Sequence, residues 1–162
     1  MARYLLDAML GNLAVYLRLC GHDTVYALDR DIEADDRLLE LAAAEGRVLV
    51  TRDEQLAARA AAASSRAAPG SILLRTRETE DMLRELASAG VALSPTDEPA
   101  WCGRCNGELR RVERDGTAAV PEYVPNESEN HRLWRCRACG QYFWKGGHWD
   151  RMVATLDRAR EC

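Results

Sequence analysis

Four of the six cysteines stand in two pairs, Cys102-x2-Cys105 and Cys136-x2-Cys139, with 30 residues between the pairs. A Cys-x2-Cys turn delivers two thiolates to one ion, and two such turns meet the tetrahedral preference of zinc. Each pair is followed by residues tolerant of left-handed backbone, Asn106-Gly107 and Gly140, so backbone N–H groups can turn toward the sulfurs. Four thiolates leave no open coordination position, which predicts a structural zinc site. The competing reading is a set of reduced buried cysteines or two disulfides. Cys20 lies in an apolar helical pattern and reads as a core residue, and the terminal Cys162 has no expected role.

A second group of anions is made of oxygen. Asp7 closes the first apolar run, Asp53 closes the Thr51-Arg52-Asp53 stretch after the third, and Asp35 or Asp36 opens the second helical pattern. In an open parallel sheet ligands bind beyond the carboxyl ends of the strands, so these acids are candidates for one shared edge. Clustered carboxylates repel unless a hard cation neutralises them, and Mg²⁺ or Mn²⁺ suits oxygen ligands. Such an ion activates water and stabilises a leaving oxygen in phosphodiester hydrolysis. The plainer alternative is that these acids are turn and capping residues, Asp35 being an ordinary N-cap candidate.

The elements that position these groups read as alternating strand and helix over residues 1–93. Strands are predicted at 3–7, 23–28, 47–51 and 71–74, with a short last one at 91–93; helices at 9–20, 35–45, 54–64 and 79–89. Glycines at 21, 46 and 90 serve as helix stops, and Ser64, Ser65 and Pro69-Gly70 end the Ala-rich helix. This alternation implies an α/β fold with a mostly parallel sheet. Residues 94–100 read as a linker, 101–147 as a zinc ribbon, and 148–162 as a closing segment whose helix, at 149–160, packs back.

Charge is divided unevenly. Residues 1–100 carry 11 Arg against 17 acids, and residues 101–162 carry 11 Arg and Lys against 9 acids. Neither part attracts polyanions by bulk charge, so any nucleic-acid site must be local. The opening MARYLLDAMLG places Asp7 where the apolar core of a signal peptide would run, and no stretch is long and apolar enough to span a bilayer. The expectation is a cytoplasmic protein, whose reducing surroundings favour metal over disulfides at paired cysteines.

The segments LLDAMLGNLAVYLRLCGHDT and DDRLLELAAAEGRVLVTRD, then CGRCN and CRACGQYFWKGGHWDRM, occur in that order from Tyr4 to about Met152. On these motifs the chain resembles the Mut-7-type C-terminal RNase domain family. The resemblance implies a PIN-like three-layer α/β/α nuclease fold with a C-terminal zinc ribbon, and hydrolysis of RNA by a Mg²⁺- or Mn²⁺-dependent ribonuclease. It carries the acidic metal ligands and catalytic residues onto Asp7, Asp53 and Asp35, the last matching the family's spacing better than Asp36. The sequence departs from the PIN pattern where a fourth acid usually follows the next strand. That place reads Arg75-Thr76-Arg77, with Glu78, Glu80 and Asp81 nearest. The departure leaves a rival open, a PIN-like module that binds RNA or protein without cutting.

Three further residues are candidates for contact with single-stranded RNA, the expected partner. Arg18 matches an arginine on the family's first helix; a guanidinium can grip phosphate bidentately, and the other reading is a solvated helix face. Arg52 has the same two readings. His148, in Gly146-Gly147-His148-Trp149, stands where a ring can stack on a base or donate to phosphate, although packing of the ribbon against the rest is the better reading for Trp149. Trp134, Tyr142, Phe143 and Trp144 around the second cysteine pair are expected to build the ribbon's small core, with one or two rings exposed.

Overall fold

In the computed structural model, which describes residues 2–64, 70–114, 119–125 and 132–161, the apolar runs pair as a four-stranded sheet. Its strands are β1 (Tyr4–Leu6), β2 (Thr24–Tyr26), β3 (Val48–Thr51) and β4 (Ser71–Leu73), in the order β2-β1-β3-β4. All three pairings are parallel. The helices between them are α1 (Gly11–Leu19), α2 (Asp35–Glu45) and α3 (Glu54–Ala62), with α4 (Thr79–Ser88) after β4.

Alternation of side chains along a strand builds the layers. Tyr4, Leu6 and Val50 pack on one face with Leu13 and Leu17 of α1 and with Met82, Leu83 and Leu86 of α4. Leu5, Leu49 and Val25 pack on the other face with Leu38 and Ala42 of α2 and Leu56 and Ala60 of α3. The result is the three-layer α/β/α arrangement expected. The closing helix, α5 (Gly147–Arg160), joins the first layer through Met152, Leu156 and Ala159. It starts two residues earlier than the sequence pattern suggests.

A second sheet follows: β5 (Leu109–Val112), β6 (Leu133–Cys136) and β7 (Tyr142–Trp144), antiparallel in that order. One cysteine pair precedes it and the other sits at the β6–β7 turn, as in a zinc ribbon.

Three local differences from the sequence reading have physical reasons. The first helix is entered through a 3-10 turn at Ala8–Leu10, because the Asp7 side chain accepts the Ala8 N–H. The second strand stops at Tyr26, where a 3-10 turn, Ala27–Arg30, ends on a left-handed Asp31. Val91–Leu93 forms no strand: Val91 and Leu93 bury their side chains in the core, while the Ala92 carbonyl bonds to the His22 ring at 2.6 Å. The Val91 N–H turns back onto the Leu86 carbonyl, so this segment's backbone bonds go to the end of α4 and to a side chain, not to a ladder. The expected breakers Ser65 and Pro69, and Cys162, lie outside the described residues.

Candidate functional site

The first cysteine pair sits on a turn after Trp101, and the second on the turn between β6 and β7. Asn106 and Gly140 adopt the left-handed conformation, with φ of 65° and 77°. These turns aim N–H groups at sulfur: Gly107 donates to Cys105 Sγ at 3.4 Å, and Ala138 and Cys139 donate to Cys136 Sγ at 3.3 and 3.4 Å. Burial pushes the Cys136 thiol up, but these donors and the neighbouring sulfurs outweigh it and bring the pKa down to about 7. Cys102, fully enclosed, is pushed up by its burial.

The four sulfurs lie within 4.8 Å of one another. Cys102 Sγ is 3.7 Å from Cys139 Sγ, and Cys105 Sγ is 3.5 Å from Cys136 Sγ. A tetrahedron with Zn–S bonds of about 2.3 Å separates its sulfurs by about 3.8 Å, whereas a disulfide requires about 2.05 Å. The spacing therefore matches a shared ion and excludes a bond between sulfurs. Gly107 is part of the cradle, because a Cβ there would lie 2.7 Å from Cys136 Sγ. These four thiols could hold a zinc ion.

The first cysteine turn is fastened to the parallel sheet. Asn106 Oδ1 accepts the Thr24 N–H at 2.9 Å, and its amide donates to Asp23 Oδ1 at 2.7 Å. The same Asp23 oxygen accepts from Arg47, whose side chain is 2% exposed, at 2.8 Å. Burial pushes the Asp23 carboxyl up, but the hydrogen bonds from Arg47, Asn106 and Arg3 prevail and hold it below its ordinary value. Arg18 belongs to this fastening. It is 2% exposed, donates to the Thr24 carbonyl and the Gly103 carbonyl at 3.0 Å each, and lies 3.7 Å from Asp29. Both sequence readings of Arg18 are corrected: it is neither on a solvated face nor open to phosphate, because buried backbone carbonyls take its donors.

At the carboxyl edge of the sheet, Asp7 and Asp53 are joined through one hydroxyl. Thr51 Oγ1 donates to Asp7 Oδ2 at 2.8 Å and accepts the Asp53 N–H at 3.0 Å. Asp7 Oδ1 accepts the Ala8 N–H at 2.7 Å. Asp53 is exposed and caps α3, its Oδ1 accepting from Gln55 and Leu56. Arg52 reaches over the Ala8–Leu10 turn, Nη2 lying 3.8 Å from Met9 Sδ, and its buried Nε has no partner.

Asp35 is exposed at the first turn of α2, where Ala34, not Asp35, occupies the cap position. Its neighbour Asp36 pairs with Arg59 of α3. The four cysteines are the one group of three or more potential ligands gathered for a metal among the described residues. The trio of Asp7, Asp35 and Asp53 is not drawn together to that degree. Each acid has a local duty or is solvated.

The place of the fourth acid has a different occupant. Glu85 of α4 accepts from the Arg75 N–H, the Thr76 N–H and the Thr76 hydroxyl at 2.8, 3.1 and 2.5 Å. Burial pushes its carboxyl up, but these bonds outweigh that and lower it. Glu80, one of the nearest acids by sequence, pairs with Arg84 and with Arg158 of α5. Sequence reasoning missed Glu85 and Asp23, and it named Asn106 for its backbone and Thr51 as part of a motif without the side-chain hydrogen bonds each makes; Thr51, a polar end to the run VLVT, carries the visible signal.

His148 is exposed on the first turn of α5 and lines a cavity of about 450 Å³ between α1, the ribbon and α5. Of the ring residues expected to form the ribbon core, Trp134 is buried, while Tyr142, Phe143 and Trp144 are half-buried on that cavity's wall. No described helix is long and apolar enough to cross a membrane.

Neither the curated proteins nor the solved structures contain a match to the chain. The profile of the Mut7-C RNAse domain matches residues 2–156, nearly the whole sequence. With its parallel sheet, acidic strand ends and paired cysteines in the matched span, the chain belongs to the Mut7-C RNAse domain family.

Proposed function

We propose that the chain is a metal-dependent ribonuclease that hydrolyses phosphodiester bonds of single-stranded RNA in the cytoplasm. Membership of an RNase domain family implies RNA as the substrate, and the observation that carries the reading to residues is the Asp7–Thr51–Asp53 link at the carboxyl edge. Asp7 and Asp53 both retain carboxylate lone pairs beyond their hydrogen bonds, and they would hold Mg²⁺ or Mn²⁺, with Asp35 entering from α2. When bound, such an ion supplies an activated water and charge stabilisation on the leaving oxygen. The chain's own part is positional. Thr51 orients the Asp7 carboxylate by donating to it. The N–H groups opening α3 fix the Asp53 carboxylate. Arg52 stands beside them with an unsatisfied guanidinium N–H and would face a phosphate. Zinc on the four cysteines would be structural, since all four positions are filled by protein.

One observation favours a second reading, a module that binds RNA without cutting it. Asp7, Asp35 and Asp53 do not form a gathered group of potential ligands among the described residues.

The test is cleavage of labelled single-stranded RNA with Mn²⁺, Mg²⁺ or neither, comparing wild type with Asp7→Asn and Asp53→Asn. Metal-dependent cleavage that falls at least a hundredfold in both variants is the expected result. Cleavage that persists in the variants removes the acidic edge as the centre. Absence of cleavage by wild type, with RNA still bound, selects the binding module.

A further inference from the structure

The chain has few aromatic residues, yet all four tryptophans and its single phenylalanine line the one cavity between α1, the ribbon and α5. Rings that merely fill a core are buried. Here only Trp134 is, at 2% exposure, and it forms the floor. Trp101, Phe143, Trp144 and Trp149 are half-buried around open space. The volume, about 450 Å³, is in the range of small-ligand sites.

The rim has a sign. Lys145 and His148 line the cavity, and among the described residues no aspartate or glutamate does, in a chain of net charge -4. The Lys145 ammonium lies 4.9 Å from the Trp149 ring centre and 6.0 Å from that of Trp134. It is anchored behind by the Asp97 carbonyl at 2.7 Å and carboxylate at 3.3 Å. The indole N–H of Trp134 is already engaged by Glu98, and one face of Trp144 is stacked by Tyr123 with 6.2 Å between ring centres, so what the rings offer a ligand is their remaining faces. Gly146 keeps this geometry, because a Cβ there would lie 2.8 Å from the Trp144 indole nitrogen. Stacking faces beside a cation suit a ligand with a planar ring and an adjacent anion.

We infer that this aromatic cavity takes an unstacked nucleobase of a single-stranded RNA, with Lys145 and His148 on the neighbouring phosphate. The inference rests on the proposal that the chain acts on RNA. It adds a base-binding subsite along α1. Val15 and Leu19 of α1 line the cavity, one to two helical turns from the end of that helix that follows Asp7. A strand seated in the cavity is therefore within a few nucleotides of the acidic edge. Stacking needs no base-specific hydrogen bond, so the site tolerates every base.

Because every tryptophan lies on the cavity, indole fluorescence reports on it alone. The full chain carrying Asp7→Asn, which prevents consumption of the ligand, is titrated with a six-nucleotide uridylate and with an abasic backbone of equal length. The base-bearing strand is expected to quench emission saturably, and the abasic one to bind about tenfold more weakly without quenching. Trp144→Ala, checked for zinc content and helical circular dichroism, should lose about tenfold in affinity, and Trp144→Phe should recover most of it. Equal affinity and quenching by the two strands would overturn the inference, whatever the variants do. So would saturable quenching by an apolar peptide but not by the uridylate. Cleavage by wild type, measured separately, distinguishes the two failures: cleavage without base-dependent quenching removes the cavity and keeps the nuclease, and base-dependent quenching without cleavage does the reverse.

Discussion

The four thiols and the three carboxylates are both sets of anionic groups, and the fold treats them in opposite ways. The thiols are gathered within 4.8 Å on two turns whose N–H groups point at them. The carboxylates are spread: Asp7 caps a 3-10 turn, Asp53 caps α3, and Asp35 is solvated. A closed set of four soft ligands is consistent with an ion that holds the fold. An open set whose members are steadied by the backbone suits a hard ion that arrives with its own waters. What the chain builds in advance differs accordingly: the gathered thiols in one region, only the orientation of separate carboxylates in the other.

The strongest way to break this contrast is Cys105→Ser. Metal binding at structural thiolate sites contributes on the order of 10 kcal/mol, so zinc content should fall from one per chain to none, and the ribbon should lose its antiparallel sheet. Elemental analysis and amide exchange would show it. A variant that keeps its metal and exchange pattern would mean the cage is not one.

A smaller effect is expected at the fastening between the two regions. Asp23→Ala takes from buried Arg47 the nearer of its two carboxylate partners and leaves Glu45 at 3.4 Å, which costs about 2 kcal/mol, read as a lower melting temperature and faster proteolysis of the ribbon. The wild type should show the same weakness in acid. Asp23 is held below its ordinary pKa, so its stabilisation is complete above about pH 4. It is lost as the pH falls through the lower, folded-state value. Replacement by Ala should therefore flatten the acid limb of the stability profile.

At the acidic edge the effects on stability shrink further while those on activity do not. Asp53→Ala removes a helix cap and costs about 1 kcal/mol. Asp53→Asn, whose amide oxygen also caps, should change stability by a few tenths of that and still abolish cleavage. Asp35→Ala caps nothing and should shift thermal stability by less than about 0.5 kcal/mol. Its activity sharpens the comparison: a loss equal to that of Asp7→Asn would mean α2 delivers Asp35 into the site when metal binds.

The cysteine cage was readable from spacing because both halves of its geometry, the x2 turns and the left-handed residues after them, are local. The parallel sheet was readable because buried strands show as short apolar runs, RYLLD and RVLVT among them. Arg18 was misread because a charged residue at a helical position carries no mark of what covers it. Its burial depends on Gly103, 85 positions away. Glu85 was passed over for the same reason: two of its three partners are the backbone N–H groups of Arg75 and Thr76, which leave no trace in residue type. The aromatic cavity was half visible, as rings near the cysteines, but their collection around one space depends on how α5 returns.

The segment at 94–100 has the composition of a linker, but Thr96 donates to the Leu19 carbonyl, and Asp97 and Glu98 hold Arg132, Trp134 and Lys145. Cutting the chain there would strand the Thr24 amide and the one Arg18 donor that the cysteine turn now satisfies. The two halves are thus unsuitable for exchange as modules. A ribbon transplanted from a relative would have to bring an asparagine and a glycine carbonyl to the same two places, so sequence drift in one half is constrained by the other.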